Sequence, residues 1–301
     1  NDGTFDNNLG FTGLYSDDEL TISGNNRPVF HDLQINVRND LNLEVGLGVS
    51  NFQEFVNGRV ITPRDRRTVS LDYLNDTPYL GADDSRFVDG YASLTGLLDF
   101  TFPVGDDFRL RPIKIDGQSA FNPVKAAYFF EDPNTPTYFS TSFDTNSFGA
   151  LLFGVSQFEF WDLDGDSATR VTLTWDDNSN IPTLVDDLND LRVVGWDDNL
   201  KQWVNLGNTA VSGDLNSGEI TSDIFVPDNY SVLTFGTSDN ILDADLEIYT
   251  AVSPNGDGFN DILDLTFLND RTGISKLQIF NRLGTLVFEQ NNYTNQWRGQ
   301  T

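Results

Sequence analysis

Asp162-Leu163-Asp164-Gly165-Asp166 sets three carboxylates at alternate positions around a glycine bend. Calcium takes about six to eight oxygens, so three carboxylates, a carbonyl and water would nearly complete a shell. Asp162, Asp164 and Asp166 are therefore candidate calcium ligands. The full twelve-residue EF-hand is absent, because Leu173 stands where its bidentate acid would be. The same string also reads as a solvated turn. A second segment, Ser253-Pro254-Asn255-Gly256-Asp257-Gly258-Phe259-Asn260-Asp261, combines two flexible glycines with the oxygens of Asn255, Asp257, Asn260 and Asp261. It fits a calcium loop, with Asn255, Asp257 and Asp261 as ligands, or an Asx turn that pins two strands.

Other chemistry is scarce. No cysteine is present, which removes thiol catalysis and cysteine-ligated zinc, and the single His31 removes nearly all Ser-His-Asp chemistry. Carboxylates are abundant enough for a glycosidase or lyase, yet no arrangement singles out a working pair. Catalysis within these 301 residues is not expected. The formal net charge of −28 disfavours a nucleic-acid partner, since phosphate backbones need a basic footprint. The densest basic run, Arg64-Asp65-Arg66-Arg67, is too short to make one. No apolar stretch approaches the ~20 residues of a membrane-spanning helix, so no transmembrane segment is expected.

The elements that must position these groups read as strands. Acidic residues divide into 38 Asp and 8 Glu, with 30 Asn and 25 Gly beside only 4 Lys. Asp, Asn and Gly favour turns, whereas Glu and Lys favour helices. Leu33, Ile35 and Val37, then Leu41, Leu43, Val45, Leu47 and Val49, alternate with polar or small residues, the period of a half-buried strand. Turn clusters such as Ser23-Gly24-Asn25-Asn26 and Asn57-Gly58 separate them. Strands starting every ten to thirteen residues suit stacked coils and a sandwich equally. Further strands are expected at 109–115, 126–130, 151–160, 170–175, 191–196 and 231–235, with Trp161, Trp175, Trp196 and Trp203 as core residues. Leu184–Leu188 could form one helical turn. Short strands at 246–249, 262–267, 277–280 and 285–288 suggest an immunoglobulin-like module. The expected fold is all-β: a solenoid-like or sandwich module over 1–96, a β-sandwich over 97–240 and a third module over 241–301. Lacking an initial Met and a signal peptide, the sequence reads as an interior piece of a longer chain.

Ile248-Tyr249-Thr250-Ala251-Val252 and the SPNGDGFND string, followed by Leu277-Gln278-Ile279-Phe280-Asn281-Arg282-Leu283-Gly284, Leu286-Val287-Phe288-Glu289, Tyr293 and Trp297-Arg298-Gly299, resemble the gliding-motility-associated, type B C-terminal sorting domain of Bacteroidota. The chain departs from the family at Leu283, usually Trp, and at Arg298, often Asp. The family's domain normally runs on through further strands, so the module here reads as incomplete at its C-terminal end. The resemblance implies export by the type IX secretion system and an extracellular, cell-surface location on a Gram-negative bacterium. It also implies an outer-membrane β-barrel partner of the PorP/SprF type. On this reading the sorting and partner-binding residues are Ser253, Pro254, Asn255, Gly256, Asp257, Gly258, Asn260, Asp261, Phe280, Asn281, Arg282, Gly284, Trp297 and Gly299. The preceding residues are similar to the strand-rich tails of large surface adhesins. The expected function is thus the C-terminal part of a secreted adhesin or gliding-associated protein, with an extracellular polysaccharide or another surface as target. The alternative is a surface-displayed carbohydrate-active or sugar-binding protein whose catalytic region lies upstream.

Overall fold

Alternating apolar residues bury one edge of a strand at a time, and in this chain they do so coil after coil. The computed structural model describes residues 2–3, 9–117, 122–149, 151–238, 252–257, 261–265 and 276–299. The chain forms two compact units, Asn1–Asp239 and Asn240–Thr301.

The first unit begins as a solenoid. Each coil gives one strand to a first sheet and one to a second. Coils one to three contribute β1 (Phe11–Ser16) and β2 (Leu20–Ile22), β3 (Val29–Val37) and β4 (Leu41–Leu43), then β5 (Leu47–Asn57) and β6 (Val60–Ile61). Coil four contributes β7 (Leu71–Leu74), a short β8 (Tyr79–Leu80) and β9 (Val88–Asp89). Coil five contributes β10 (Ala92–Thr95), β11 (Phe100–Phe102) and β12 (Val104–Asp106). Pairing is parallel: Phe11 lies beside Asp32, Val29 beside Gly48, Leu47 beside Leu71 and Leu71 beside Ala92. The second sheet stacks likewise, Leu20 on Leu41 and Leu41 on Val60. A coil therefore takes about twenty residues, the lower end of the range for stacked repeats. Leu33, Ile35, Val37, Leu41, Leu43, Leu47, Val49 and Val60 fill the interior. The stripe from Leu41 to Val49 is two strands in different sheets, with the corner at Glu44–Gly46.

Arginines tie successive coils together. Arg59 reaches Asp40 at 2.8 Å and Asp89 at 3.0 Å, and Arg64 reaches Asp89 at 2.7 Å and Asp106 at 3.2 Å. Gly58 has φ +76°, and a Cβ there would stand 1.8 Å from the Val37 carbonyl oxygen, so this bend requires glycine.

The connectivity then changes within the same sheet. Antiparallel β15 (Val124–Phe129) adds to β10, Ala92 opposite Ala126. The sheet continues through β17 (Phe160–Asp164), β23 (Leu233–Thr237), β19 (Leu191–Asp197) and β20 (Gln202–Asn205), with β16 (Gly154–Val155) also on β23. The short β13 (Arg109–Leu110) closes the second sheet against β12. A third, antiparallel sheet runs β11, β14 (Ile113–Ile115), β18 (Val171–Trp175), β22 (Gly218–Thr221) and β21 (Ala210–Gly213). Between the first and third sheets lies a sandwich core, in which Phe235 meets Trp161 at 5.4 Å and Trp175 at 6.0 Å. That core is continuous with the solenoid interior. Position 96, expected as a domain boundary, is where parallel stacking gives way to antiparallel pairing inside one compact unit.

Asp-rich composition has a direct structural outlet. Asp83, Asp132, Asp144, Asp176, Asp187, Asp197 and Asp214 each accept a bond from the backbone N–H two residues on. The shorter Asp side chain closes this Asx turn. Asp40, Asn75, Asp76, Asp107 and Asn180 occupy the left-handed region, which Asx residues tolerate best. Around Leu184–Leu188 the chain forms two short 3-10 turns, Ile181–Thr183 and Leu188–Asp190. The expected strand at 109–115 splits at Pro112 into β13 and β14, which belong to different sheets.

In the second unit the described strands are one hairpin, β24 (Lys276–Phe280) with β25 (Leu286–Asn291), Leu277 opposite Gln290. The expected strand at 246–249 and residues 266–267 of the next one lie outside the described residues.

Candidate functional site

Alternation along β15 and β17 decides where the acidic loop goes. Ala126, Tyr128, Trp161 and Leu163 point into the sandwich core, so Ala127, Phe129, Phe160, Asp162 and Asp164 take the other face. There the segment between β15 and β16 folds over the sheet, and Phe139 packs edge-on against Phe129 and Phe160 at 5.3 and 5.6 Å. Phe143 meets Trp196 at 5.9 Å and Trp203 at 6.5 Å. All four tryptophans of this unit are buried core residues.

The carboxylates of the acidic loop do not converge. Asp162 is 1% exposed, accepts from the Tyr91 hydroxyl at 2.6 Å and pairs with Arg67 at 2.9 Å. Its Oδ1 is buried without a hydrogen-bond partner. Asp164 pairs with the same guanidinium at 3.4 Å, and Asp166 accepts from the Asn122 amide at 2.6 Å. Gly165 donates its N–H to Asp228 at 2.7 Å. Burial, reinforced by the charge of Asp164, pushes the Asp162 carboxyl up to about 7, and Arg67 and the Tyr91 hydroxyl only partly offset it. Asp164 is raised as well, by burial above all. Among the described residues no group of three or more His, Cys, Asp or Glu side chains is placed to hold a metal ion. The larger neutralising charge beside Asp162 and Asp164 is Arg67, a member of the short basic run, and Lys125 adds a smaller one.

Beside these residues opens a cleft of about 710 Å³. Arg67 and Asp164 line it, together with the aromatic rings of Tyr138, Phe139 and Phe143 and with Asp197, Asp198, Asp228 and Tyr230. Tyr138 is 49% exposed, with its ring 6.3 Å from Phe129. The Ser231 hydroxyl donates to Asp198 and Lys201 reaches it at 3.0 Å, and the two keep its carboxyl below the usual range. Sequence reasoning missed this cleft. The available signal was Tyr138-Phe139 followed by Phe143, aromatics dense in a segment without strand periodicity. A second buried pair lies in the same unit: Glu159 faces Arg111 at 3.3 Å and the Tyr128 hydroxyl, while Arg111 also pairs with Asp176 at 2.7 Å. His31 sits half-buried on β3, its Nδ1 3.5 Å from the Ser50 hydroxyl.

In the second unit, Asn255 and Asp257 bond one another and the loop backbone. The Asn255 amide donates to Asp257 at 2.8 Å, and the Asp257 N–H donates to Asn255 at 3.0 Å. Asp261 accepts from the Gly256 N–H at 2.7 Å, and Gly256 has φ +79°. Ser253 and Pro254 are exposed, and Gly258 and Asn260 lie outside the described residues. Asn281 organises the hairpin turn: its side chain accepts from Leu283 at 2.9 Å and Thr285 at 3.0 Å, and Gly284 takes φ +79°. That turn presents Phe280, 55% exposed, and Leu283, 83% exposed, beside the exposed Arg282. Tyr293 is buried instead. Its hydroxyl donates to the Leu263 carbonyl at 2.7 Å and accepts from the Trp297 N–H at 3.1 Å, and Trp297 returns a carbonyl to the Leu263 N–H. Phe288 packs on both rings. Trp297 is thus partly covered, while Gly299 is exposed at φ +76°. The loop and the hairpin turn are the outward-facing motifs, and Tyr293 and Trp297 hold the unit together.

No curated protein and no solved structure matches the chain. Residues 246–301 match the family described as the CHU_C Type IX secretion signal domain, so this part of the chain carries a type IX sorting signal, which implies export and attachment at the cell surface by that secretion system.

Proposed function

We propose that the chain is part of a secreted adhesin of a Bacteroidota cell, displayed outside the outer membrane through residues 246–301. The observation that carries this reading is the secretion-signal match over those residues. The first unit is the adhesive part. A solenoid that merges into a sandwich through one continuous core makes a stiff body with extended surfaces, the usual use of stacked repeats. The unit acts by binding and not by catalysis. Asp162 is covered by Tyr91 and Arg67, and Glu159 by Tyr128 and Arg111, so both carboxyls, which burial pushes up, serve inside the fold. Attachment runs through an outer-membrane β-barrel that receives the hairpin turn, where Phe280 and Leu283 offer apolar surface.

The experiment is a pair of strains displaying the chain with and without residues 246–301, scored for surface protein and for retention on polysaccharide-coated and bare glass. The complete chain should be displayed and should hold cells under flow, and the shortened chain should do neither. Full display with unchanged retention would overturn the adhesive reading while leaving sorting intact.

A further inference from the structure

We propose that the cleft lined by Tyr138, Asp197 and Asp198 is a binding site for a cationic amino-sugar oligosaccharide. This gives the adhesive reading its ligand and rests on it for biological meaning only.

Three properties of the cleft lead there. Its volume of about 710 Å³ falls in the ~300–1,000 Å³ range of built ligand sites. Its wall carries an aromatic ring in the right state for stacking. Tyr138 is half-exposed, yet it rests against Phe129, itself 1% exposed, so the ring is presented without being free to collapse. Phe139 beneath the cleft is fixed by Phe129, Phe143 and Phe160 and by the Arg67 guanidinium 5.3 Å from its ring. A flat aromatic face of this kind packs against the apolar C–H face of a pyranose and attracts a nearby cation.

The polar lining selects the sugar's character. Asn199, Asn229, Ser231 and Thr141 supply donors and acceptors suited to hydroxyl groups. Four aspartates, Asp164, Asp197, Asp198 and Asp228, line the cleft with one arginine. Arg67 is already engaged by Asp162 and Asp164, and Asp198 pairs with Lys201, so Asp197 and Asp228 carry the cation-attracting charge. With the chain at −28 overall, the field repels polyanions and concentrates cations. A ligand with many hydroxyls, apolar ring faces and ammonium groups satisfies all three. A lysine-rich peptide would satisfy the charge alone, and a neutral glycan the stacking alone.

The test uses the full 301-residue chain in calorimetric titrations with four probes: a glucosamine oligomer, a cello-oligosaccharide, an oligogalacturonate and an oligolysine. The glucosamine oligomer should bind best, the neutral oligomer at least tenfold more weakly, and the oligogalacturonate undetectably. Tyr138→Ala, at a half-exposed position, should weaken both binding sugars at least tenfold, and Tyr138→Phe should restore them. Asp197→Asn with Asp228→Asn keeps an acceptor oxygen for the backbone donors Asn199 and Gly165. It should bring the glucosamine oligomer down to the neutral one. Circular dichroism and melting temperature of each variant identify any that has simply misfolded. Binding insensitive to Tyr138→Ala, or an oligogalacturonate or oligolysine that binds as well as the glucosamine oligomer, would overturn the proposal. No binding of the glucosamine oligomer at millimolar concentration would do the same. Because these titrations need no cells, a failed cleft is distinguishable from a failed adhesin, which the flow assay reads separately.

Discussion

Asp162→Asn should flatten the pH dependence of stability of the first unit. In the fold Asp162 keeps its proton up to about pH 7 because burial, and then Asp164, disfavour its charge. An unfolded aspartate releases its proton near ~3.9. Between those values the folded chain binds more protons than the unfolded one, so stability falls as pH rises from 4 towards 7. A gap of about three pH units, at about 1.4 kcal/mol each, corresponds to ~4 kcal/mol of stability present at acid pH and lost by pH 8. The amide of the D162N chain still accepts from Tyr91 but does not titrate. Urea unfolding followed by tryptophan fluorescence at pH 5, 6, 7 and 8.5 reads this unit, since Trp161, Trp175, Trp196 and Trp203 lie in its core. Glu159 and Asp89, also raised, titrate in both chains and cancel in the difference, whereas Asp164 is coupled to Asp162 by charge and belongs to the same difference. The wild-type and D162N stabilities should therefore diverge with rising pH in favour of D162N, by up to ~4 kcal/mol. Parallel curves, or a wild type that gains on D162N as pH rises, would refute the argument from burial and show that Arg67 keeps Asp162 ionised throughout.

Three further outcomes follow from individual contacts. Arg111→Met strands the buried Glu159 and should cost ~3–5 kcal/mol in urea unfolding, whereas the double variant with Glu159→Gln should recover much of it. Gly58→Ala sets a methyl against the Val37 carbonyl at positive φ and should cost ~2–3 kcal/mol by the same assay. Tyr293→Phe removes the hydroxyl that joins Leu263 to Trp297 and should cost ~1 kcal/mol, read as faster limited proteolysis between residues 261 and 299 with the first unit unaffected.

Period-two alternation made the longer inner strands legible, because β3, β4, β5 and β18 each bury one face, whereas β1, β2 and β21 contain no buried residue. The corners were not legible. Leu41–Val49 alternates without a break in sequence, but the backbone turns at Glu44–Gly46, since alternation reports which residues face inward and not the direction in which the chain runs. Stacked coils and a sandwich were equally consistent with the spacing, and the chain uses both, joined through one sheet. For the site, residue type was a partial guide. Asp162, Asp164 and Asp166 read as oxygen ligands by spacing, but strand alternation buries the first beneath Arg67 and sends the third to Asn122. Arg67 comes from a linker about a hundred residues away, a tertiary partner that local spacing cannot reveal. In the second unit the turn chemistry of Asn255, Gly256, Asn281 and Gly284 was visible directly, because Asx turns and positive φ are local properties.

The central claim, that residues 246–301 deliver the rest of the chain to the cell surface, is tested most directly by labelling intact cells with an antibody to the first unit, in a strain with a working type IX secretion system and in an otherwise identical strain without one. The account predicts surface label only in the competent strain and only when residues 246–301 are present. Equal label in both strains, or label that survives removal of 246–301, would contradict it.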